Sequence, residues 1–449
     1  MDIKIVIIGV GEVGFNLVKA LSKEKFDITV IDIKEEKCQR ITNTMDVRAI
    51  VGDGASQRIL QQLDMTNIDY LLALTRIDEV NLVAAKSAYE MGAKKIICRL
   101  RNTEYSHESA IITPEQFGID YVVYPEKAAQ RDIENLIRQT SAVDLEEFKN
   151  GQINMVGIQI AHSSPLVGRN IKNVELSNPY IPHKLALVIR ENESFIPPKE
   201  TIYKKDDIAY FIGKAKDINE IQRMAGKPAF KVKNIMILGA GKIGRLLAKS
   251  LQYDYNVRIV EQNFEKAKKF GKTLTDTLIL QANGLDIDFL NSENIQETDC
   301  FIAATENEQT NILASLLVKH YGVKQVILHI TTTNYFKAVR RIGVDAVVSK
   351  NISAVNEVLK LIRSDQQDLP VSSFEDLNVD AIELSVVQEC RYIRKKLTID
   401  QIPEELCIGA ICRNNEMIIP NNHTEIYAED ELLVITKEES ISKVEKLFQ

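Results

Sequence analysis

The chain has 449 residues, of which 45% are hydrophobic and 27% charged, and its net charge is −7. That length exceeds one ordinary domain and suggests three or four, with the apolar content of a globular protein that has packed cores. The acidic balance excludes bulk electrostatic binding to nucleic acid or anionic lipid, which need a positive face, and no apolar run approaches the ~18–20 residues of a membrane helix. In chain order, Met1-Asp2-Ile3-Lys4-Ile5 runs straight into a strand pattern without a charged-then-apolar leader, which predicts a soluble, cytoplasmic protein. Apolar runs at 3–8, 28–31, 47–51, 70–74, 95–98 and 121–123 are short and rich in Val and Ile, as buried parallel strands are. Between them lie helical patterns such as Val13, Leu17, Ala20 and Leu21. Alternating strand and helix predicts a doubly wound parallel sheet.

Polar residues 140–150 read as a junction, and residues 153–222 follow as a smaller, more strand-like segment. It holds Met155 to Ile160 and Leu185 to Arg190, and closes with a charged turn, a strand and a helix. Gly226-Lys227-Pro228 separates the halves. The pattern then starts again: IKIVIIGVGEVG from Ile3 to Gly14 matches NIMILGAGKIG from Asn234 to Gly244, with Gly9 and Gly239 230 residues apart. The match keeps step through Asp69–Thr75 and Asp299–Thr305, through Asn81–Ala84 and Asn311–Ala314, and, after a small deletion, through Gly118–Val123 and Gly343–Val348. A second junction is predicted at 364–378, which contains Pro370 and Ser372-Ser373, before a second small segment at 379–449. The fold class is therefore α/β: two Rossmann-like doubly wound parallel-sheet domains, at 1–140 and 227–365, each followed by a small α+β domain, at 141–226 and 366–449.

Each glycine loop follows a strand, opens a helix and is answered by an acid at the end of the next strand. Gly9 and Gly11 permit a tight turn and close approach to phosphate, while Gly14 lets helix and strand pack; Gly239, Gly241 and Gly244 repeat this. Anions are favoured there by the free N–H groups and positive end of the helix. Asp32 and Glu261, 18 and 17 residues beyond the third glycines, suit ribose hydroxyls. Glu12 must point away from a phosphate, and Lys242 is read as solvated. Gly52-Asp53-Gly54, Thr75 to Asn81 and Arg99-Leu100-Arg101 face the same crevice; Arg99 or Arg101 either forks a phosphate or makes a surface salt bridge. The second copy has His329 in place of Arg99 and adds Glu306, so its site is expected to differ in affinity or ligand.

The six cysteines are scattered without Cys-x-x-Cys, so buried thiols are expected, with neither metal site nor disulfide framework. His162, His183 and His423 stand isolated and read as surface or packing residues, so no catalytic residue is assigned. An NAD-dependent oxidoreductase would need a catalytic domain that sets an acid–base group against the nicotinamide. The small segments are the size of accessory domains, which favours a ligand-sensing regulator over that enzyme.

The chain resembles the TrkA family of cytosolic potassium-uptake regulators, whose KTN/RCK_N and RCK_C domains occur twice in tandem. The resemblance covers essentially the whole chain. It rests most specifically on Gly52-Asp53-Gly54, on Thr75-Arg76-Ile77-Asp78-Glu79-Val80-Asn81, on Arg99 to Tyr105, and on the duplication itself. It implies NAD(H), with ATP and ADP as further candidates, bound by Gly9, Val10, Gly11, Glu12, Val13, Gly14, Asp32, Asp53, Thr75, Arg76 and Arg99. In the second copy the matching set is Gly239, Ala240, Gly241, Lys242, Ile243, Gly244, Glu261, Thr305 and Glu306. It further implies a homo-oligomer in the form of a tetrameric ring, placed at the inner face of the cell membrane by a potassium channel or transporter subunit of the TrkH type. A different cation channel or an antiporter is the alternative partner. Finally, it implies that the helices after the last Rossmann strands, at 126–139 and 352–362, exchange between subunits, ordinary packing within the domain being the alternative.

Overall fold

Short Val- and Ile-rich runs become central strands because β-branched side chains pack well on a pleated surface covered on both faces. The computed structural model describes residues 3–22, 26–107, 109–191, 193–332, 338–339, 343–364, 371–374, 379–390, 392–393, 398–437 and 440–448. Its first sheet comprises β1 (Ile3–Ile8), β2 (Phe26–Asp32), β3 (Arg48–Val51), β4 (Tyr70–Ala73), β5 (Lys95–Arg99) and β6 (Tyr121–Val123). These run parallel in the order β3-β2-β1-β4-β5-β6. The winding reverses between β1 and β4, so a crevice opens beyond the carboxyl ends of those two strands. Val6, Ile8, Ile31, Leu71, Ala85 and Ile96 fill the core on one side of this sheet.

β7 (Asp144–Phe148), β8 (Ile153–Gln159), β9 (Lys184–Arg190), β10 (Glu193–Phe195) and β11 (Ile208–Lys214) make an antiparallel sheet in the order β10-β9-β11-β8-β7. The second Rossmann sheet repeats the first as β14 (Thr277–Gln281), β13 (Asn256–Glu261), β12 (Asn234–Leu238), β15 (Cys300–Ala303), β16 (Gln325–His329) and β17 (Ala346–Val348). The last sheet holds β18 (Val371–Phe374), β19 (Val379–Ser385), β22 (Glu431–Lys437), β20 (Leu406–Arg413) and β21 (Glu416–Ile418), in that order. The predicted α/β class and the repeat of Rossmann sheet and small α+β sheet are thus present.

Both predicted junctions contribute strands. Asp144–Phe148 pairs with β8 through a hairpin at Lys149, Asn150 and Gly151, whose φ values are 50°, 55° and 79°. Val371–Phe374 pairs with β19; residues 365–370 and 375–378 of that junction, Pro370 included, lie outside the described residues. Edge strands need main-chain partners on one side only, so their polar side chains read as linker.

The chain divides into two compact units, Met1–Ala129 with Ser349–Leu361, and Gln130–Val348 with Ile362–Gln449. The helix Lys350–Ser364, which follows the second Rossmann sheet in sequence, therefore lends its residues up to Leu361 to the first unit. The helix Pro125–Arg138 passes into the second unit after Ala129, and there the Leu136 carbonyl accepts from Gln325 Nε2 at 2.9 Å. Both helices carry the anticipated apolar faces: Ala129, Ile133, Leu136 and Ile137 are buried, as are Val355, Val358, Leu359 and Ile362.

Within the second unit the two small sheets share a core containing Phe148, Met155, Leu187, Tyr210, Val379, Ala410 and Ile435. Each small sheet also carries the same fork. Arg190 donates from Nε and a terminal nitrogen to the two oxygens of Asp207, both at 2.8 Å, and Arg413 does the same to Asp430. Asp207 and Asp430 are 1% exposed and also accept the main-chain N–H of Lys204 and Tyr427 respectively. Removing one partner leaves buried polar groups unmet, so Asp207→Ala is expected to cost about 2–4 kcal/mol in chemical denaturation. Asp430→Ala should match it, and a loss under about 0.5 kcal/mol would mean that the fork is a surface pair in solution.

All six cysteines are free, five of them buried, and no group among the described residues has the composition of a metal site. No described helix is long and apolar enough to cross a membrane.

Candidate functional site

The crevice of the first copy is built from the glycine loop outward. Gly9 has φ +94°, and a Cβ there would lie 2.9 Å from the main-chain nitrogen of Thr75, so the loop rests directly against the end of β4. A Cβ on Gly14 would lie 2.1 Å from the Gly9 carbonyl oxygen, so the helix Glu12–Leu21 can reach the strand only at a glycine. Gly11 differs, since a Cβ there would meet nothing within 4 Å. Packing does not require glycine at that position; its bareness leaves room on the crevice side, where a phosphate needs close approach to the backbone. No side chain caps the N-terminus of the helix, so its dipole end remains available to an anion.

Asp32 ends β2, is 8% exposed, and holds the loop: Oδ2 accepts from Val10 N at 2.7 Å and Oδ1 from Lys34 N at 2.9 Å. Glu261 repeats this from Ala240 N at 3.0 Å and Asn263 N at 2.8 Å. Each acid therefore orients its glycine loop. Asp53 is exposed and closes its own turn on Ala55 N at 3.0 Å, and Gly54 beside it leaves space for Ile8. Val10 and Val13 are buried supports, whereas Glu12 and Arg76 are exposed.

Arg99 is not on the surface. It is 8% exposed, its Nε lacks a hydrogen-bond partner, and no ion pair engages it among the described residues. Burial pushes its guanidinium below the ordinary value, Glu126 opposes that shift, and nearby Arg101 and Arg76 add to it. A desolvated cation so poorly compensated is costly unless an anion completes it. This replaces the surface-salt-bridge alternative and fits the residues present to a phosphate.

Asp78 and Asn81, quoted in the Thr75–Asn81 motif without an individual role, and their counterparts Glu308 and Asn311 hold the loop ends in place. Asn81, fully buried, accepts from Thr75 N at 2.9 Å and Thr75 Oγ1 at 2.6 Å, and donates to the carbonyls of Thr75 at 3.1 Å and Arg99 at 2.8 Å. It thereby ties the ends of β4 and β5 together. Asn311 makes the same four bonds to Thr305 and His329. The Asp78 carboxylate receives Arg101 N at 3.0 Å and Asn102 N at 2.8 Å, and Glu308 receives Thr331 N at 2.6 Å and Thr332 N at 2.8 Å. The recurrence of Thr-x5-Asn at the same offset in both copies was the available signal.

The family models decide the relationship: TrkA-N domain matches residues 5–125 and 235–350, and TrkA-C domain matches residues 155–226 and 382–449. The chain belongs to the TrkA family. The Trk system potassium uptake protein TrkA homolog 1 of Methanosarcina mazei is 31% identical over 99% of this chain and 100% of its own length. The corresponding TrkA homolog of Archaeoglobus fulgidus is 30% identical over the same shares. Among solved structures, one described as GsuK channel bound to NAD aligns with a TM-score of 0.58 at 15% identity, covering 100% of this chain and 79% of that one.

The second TrkA-N segment keeps the loop and changes the chemistry. Gly239 has φ +103° and abuts Thr305, and a Cβ on Gly244 would lie 2.0 Å from the Gly239 carbonyl oxygen. Ala240 and Ile243 are buried; Gly241 opens the helix Lys242–Leu251, and Lys242 and Glu306 are exposed. His329, buried, stands where Arg99 stands in the first copy, so no guanidinium occupies that position.

Proposed function

We propose that this TrkA-family chain is a cytoplasmic, nucleotide-sensing regulatory subunit that gates a membrane potassium channel or transporter of the TrkH type. NAD(H), ATP or ADP would occupy the first crevice. Phosphates would lie over Gly9–Gly14 and against Arg99, with Arg76 and Thr75 at the rim, ribose on Asp32, and Asp53 closing the far side. The second crevice, with Gly239–Gly244, Glu261, Thr305 and Glu306, would bind more weakly or prefer another nucleotide. The observation that carries this reading is the buried Arg99 guanidinium, short of counter-charge, in the same Rossmann domain as an uncapped helix N-terminus and a glycine with no packing duty.

The relatives' names support potassium uptake as the setting, and a homo-tetrameric ring would let several sites bias one rigid-body change. A ligand shifts such an equilibrium only by its difference in affinity between the two arrangements. The test is thermal stabilisation of the full chain by NADH, NAD, ATP and ADP, run beside NADH oxidation with candidate substrates. Stabilisation without turnover is expected; turnover would overturn the regulator in favour of an oxidoreductase. Asp32→Ala should remove most of the stabilisation and Glu261→Ala less, read against each variant's own ligand-free Tm because both acids also brace their loops. Equal losses would contradict the inequality of the sites.

A further inference from the structure

The charges around Arg99 include an ion pair with a residue from the far half of the chain. Glu126, 6% exposed, lies in the first turn of the helix Pro125–Arg138, three residues beyond Val123, the β6 partner of Arg99, and is the carboxylate that acts most on Arg99. Its Oε1 is 3.4 Å from Nζ of Lys350, the first residue of the helix Lys350–Ser364, and both belong to the first unit. The remaining carboxylate near Arg99 is Asp78, which is committed to the main-chain N–H groups of Arg101 and Asn102. By the repeat register, Glu126 corresponds to Asn351 and Lys350 to Pro125, so the pair has no mirror-image counterpart.

We propose that Lys350 is a positioning residue of the first nucleotide site: by neutralising Glu126, it allows a phosphate to take over Arg99. This rests on the nucleotide reading above. Without a phosphate, Glu126 is the main opposing charge acting on Arg99. When phosphate arrives, that carboxylate becomes a like charge at short range in a poorly screened site. Lys350 cancels it. Occupancy of the first crevice is thereby linked to the seating of a helix supplied by the second half of the chain, and the linkage is reciprocal.

The experiment is titration of the full-length chain with ATP, ADP and adenosine, with Asp32→Ala identifying the binding phase that belongs to the first site. Lys350→Met should weaken ATP binding in that phase roughly three- to tenfold, ADP less, and adenosine not at all. Lys350→Arg should keep wild-type binding, and Glu126→Gln with Lys350→Met should restore ATP affinity. Equal weakening for adenosine and ATP, or no rescue by the double variant, would overturn the proposal. If Lys350→Met does not fold, Glu126→Gln alone decides: tighter ATP binding is expected, and unchanged binding overturns it. Absence of any nucleotide binding in the wild type would remove the underlying reading. Binding that Asp32→Ala abolishes and Lys350→Met leaves untouched would remove only the role of Lys350.

Discussion

Gly14→Ala is expected to lower stability by about 2–4 kcal/mol and to abolish nucleotide binding at the first crevice. A methyl group there would lie 2.1 Å from the Gly9 carbonyl oxygen, and that atom is main chain, so no rotamer change relieves the clash. The helix must lift from β1, carrying its N-terminal N–H groups away from the place a phosphate would occupy. Gly11→Ala is the companion variant. Its backbone has φ −79°, which alanine adopts freely, and its Cβ would point into open space, so the Tm should hold while ligand stabilisation is lost. Thermal unfolding with and without ATP or NADH separates the two. Comparable Tm losses in both variants would show that Gly11 has a packing role, and would remove its bareness as a sign of a ligand.

The second large effect is expected at Asn81. Its Oδ1 takes the Thr75 N–H and hydroxyl, and its Nδ2 donates to the Thr75 and Arg99 carbonyls, with no exposure to water. Asn81→Ala strands those main-chain groups in the interior, at about 2–4 kcal/mol. Asn81→Asp should be at least as damaging, because a carboxylate would face two carbonyl oxygens with nothing to donate. Both variants release the end of β5, so Arg99 loses its setting and phosphate-dependent binding should fall further than stability alone explains. Asn311→Ala should destabilise similarly and leave first-crevice binding nearly intact. Equal loss of first-site affinity in Asn81→Ala and Asn311→Ala, measured under conditions where both remain folded, would contradict this assignment.

Much of this is legible in the sequence. Central strands followed from short Val- and Ile-rich runs because a sheet covered on both faces leaves no other place for them, whereas the run at 47–51 forms the edge strand Arg48–Val51, which is not buried. The glycine loops, with Asp32 and Glu261 at fixed offsets, marked the crevices because the close approach of helix to strand admits only glycine at Gly14 and Gly244. Arg99 was ambiguous, since a string of residues carries no burial; the fold made it an interior cation by ending β5 beneath the loop after β4. Asp144–Phe148 was misread as linker because an edge strand's pairing is main-chain chemistry, and side-chain patterning does not record it.

What the sequence determined alone is the repeated unit: strand, glycine loop, helix, acid, and a small α+β domain behind each copy. Those are local rules, set by φ, side-chain volume and a periodicity of a few residues. What only the tertiary structure decided is which distant segments pack into one unit. Lys350 reaches Glu126 across 224 residues because Ser349–Leu361 packs into the same unit as Met1–Ala129. The apolar faces of those helices specify that they must be buried, but dispersion and hydrophobic burial carry no address. The partner surface is chosen by the assembled fold.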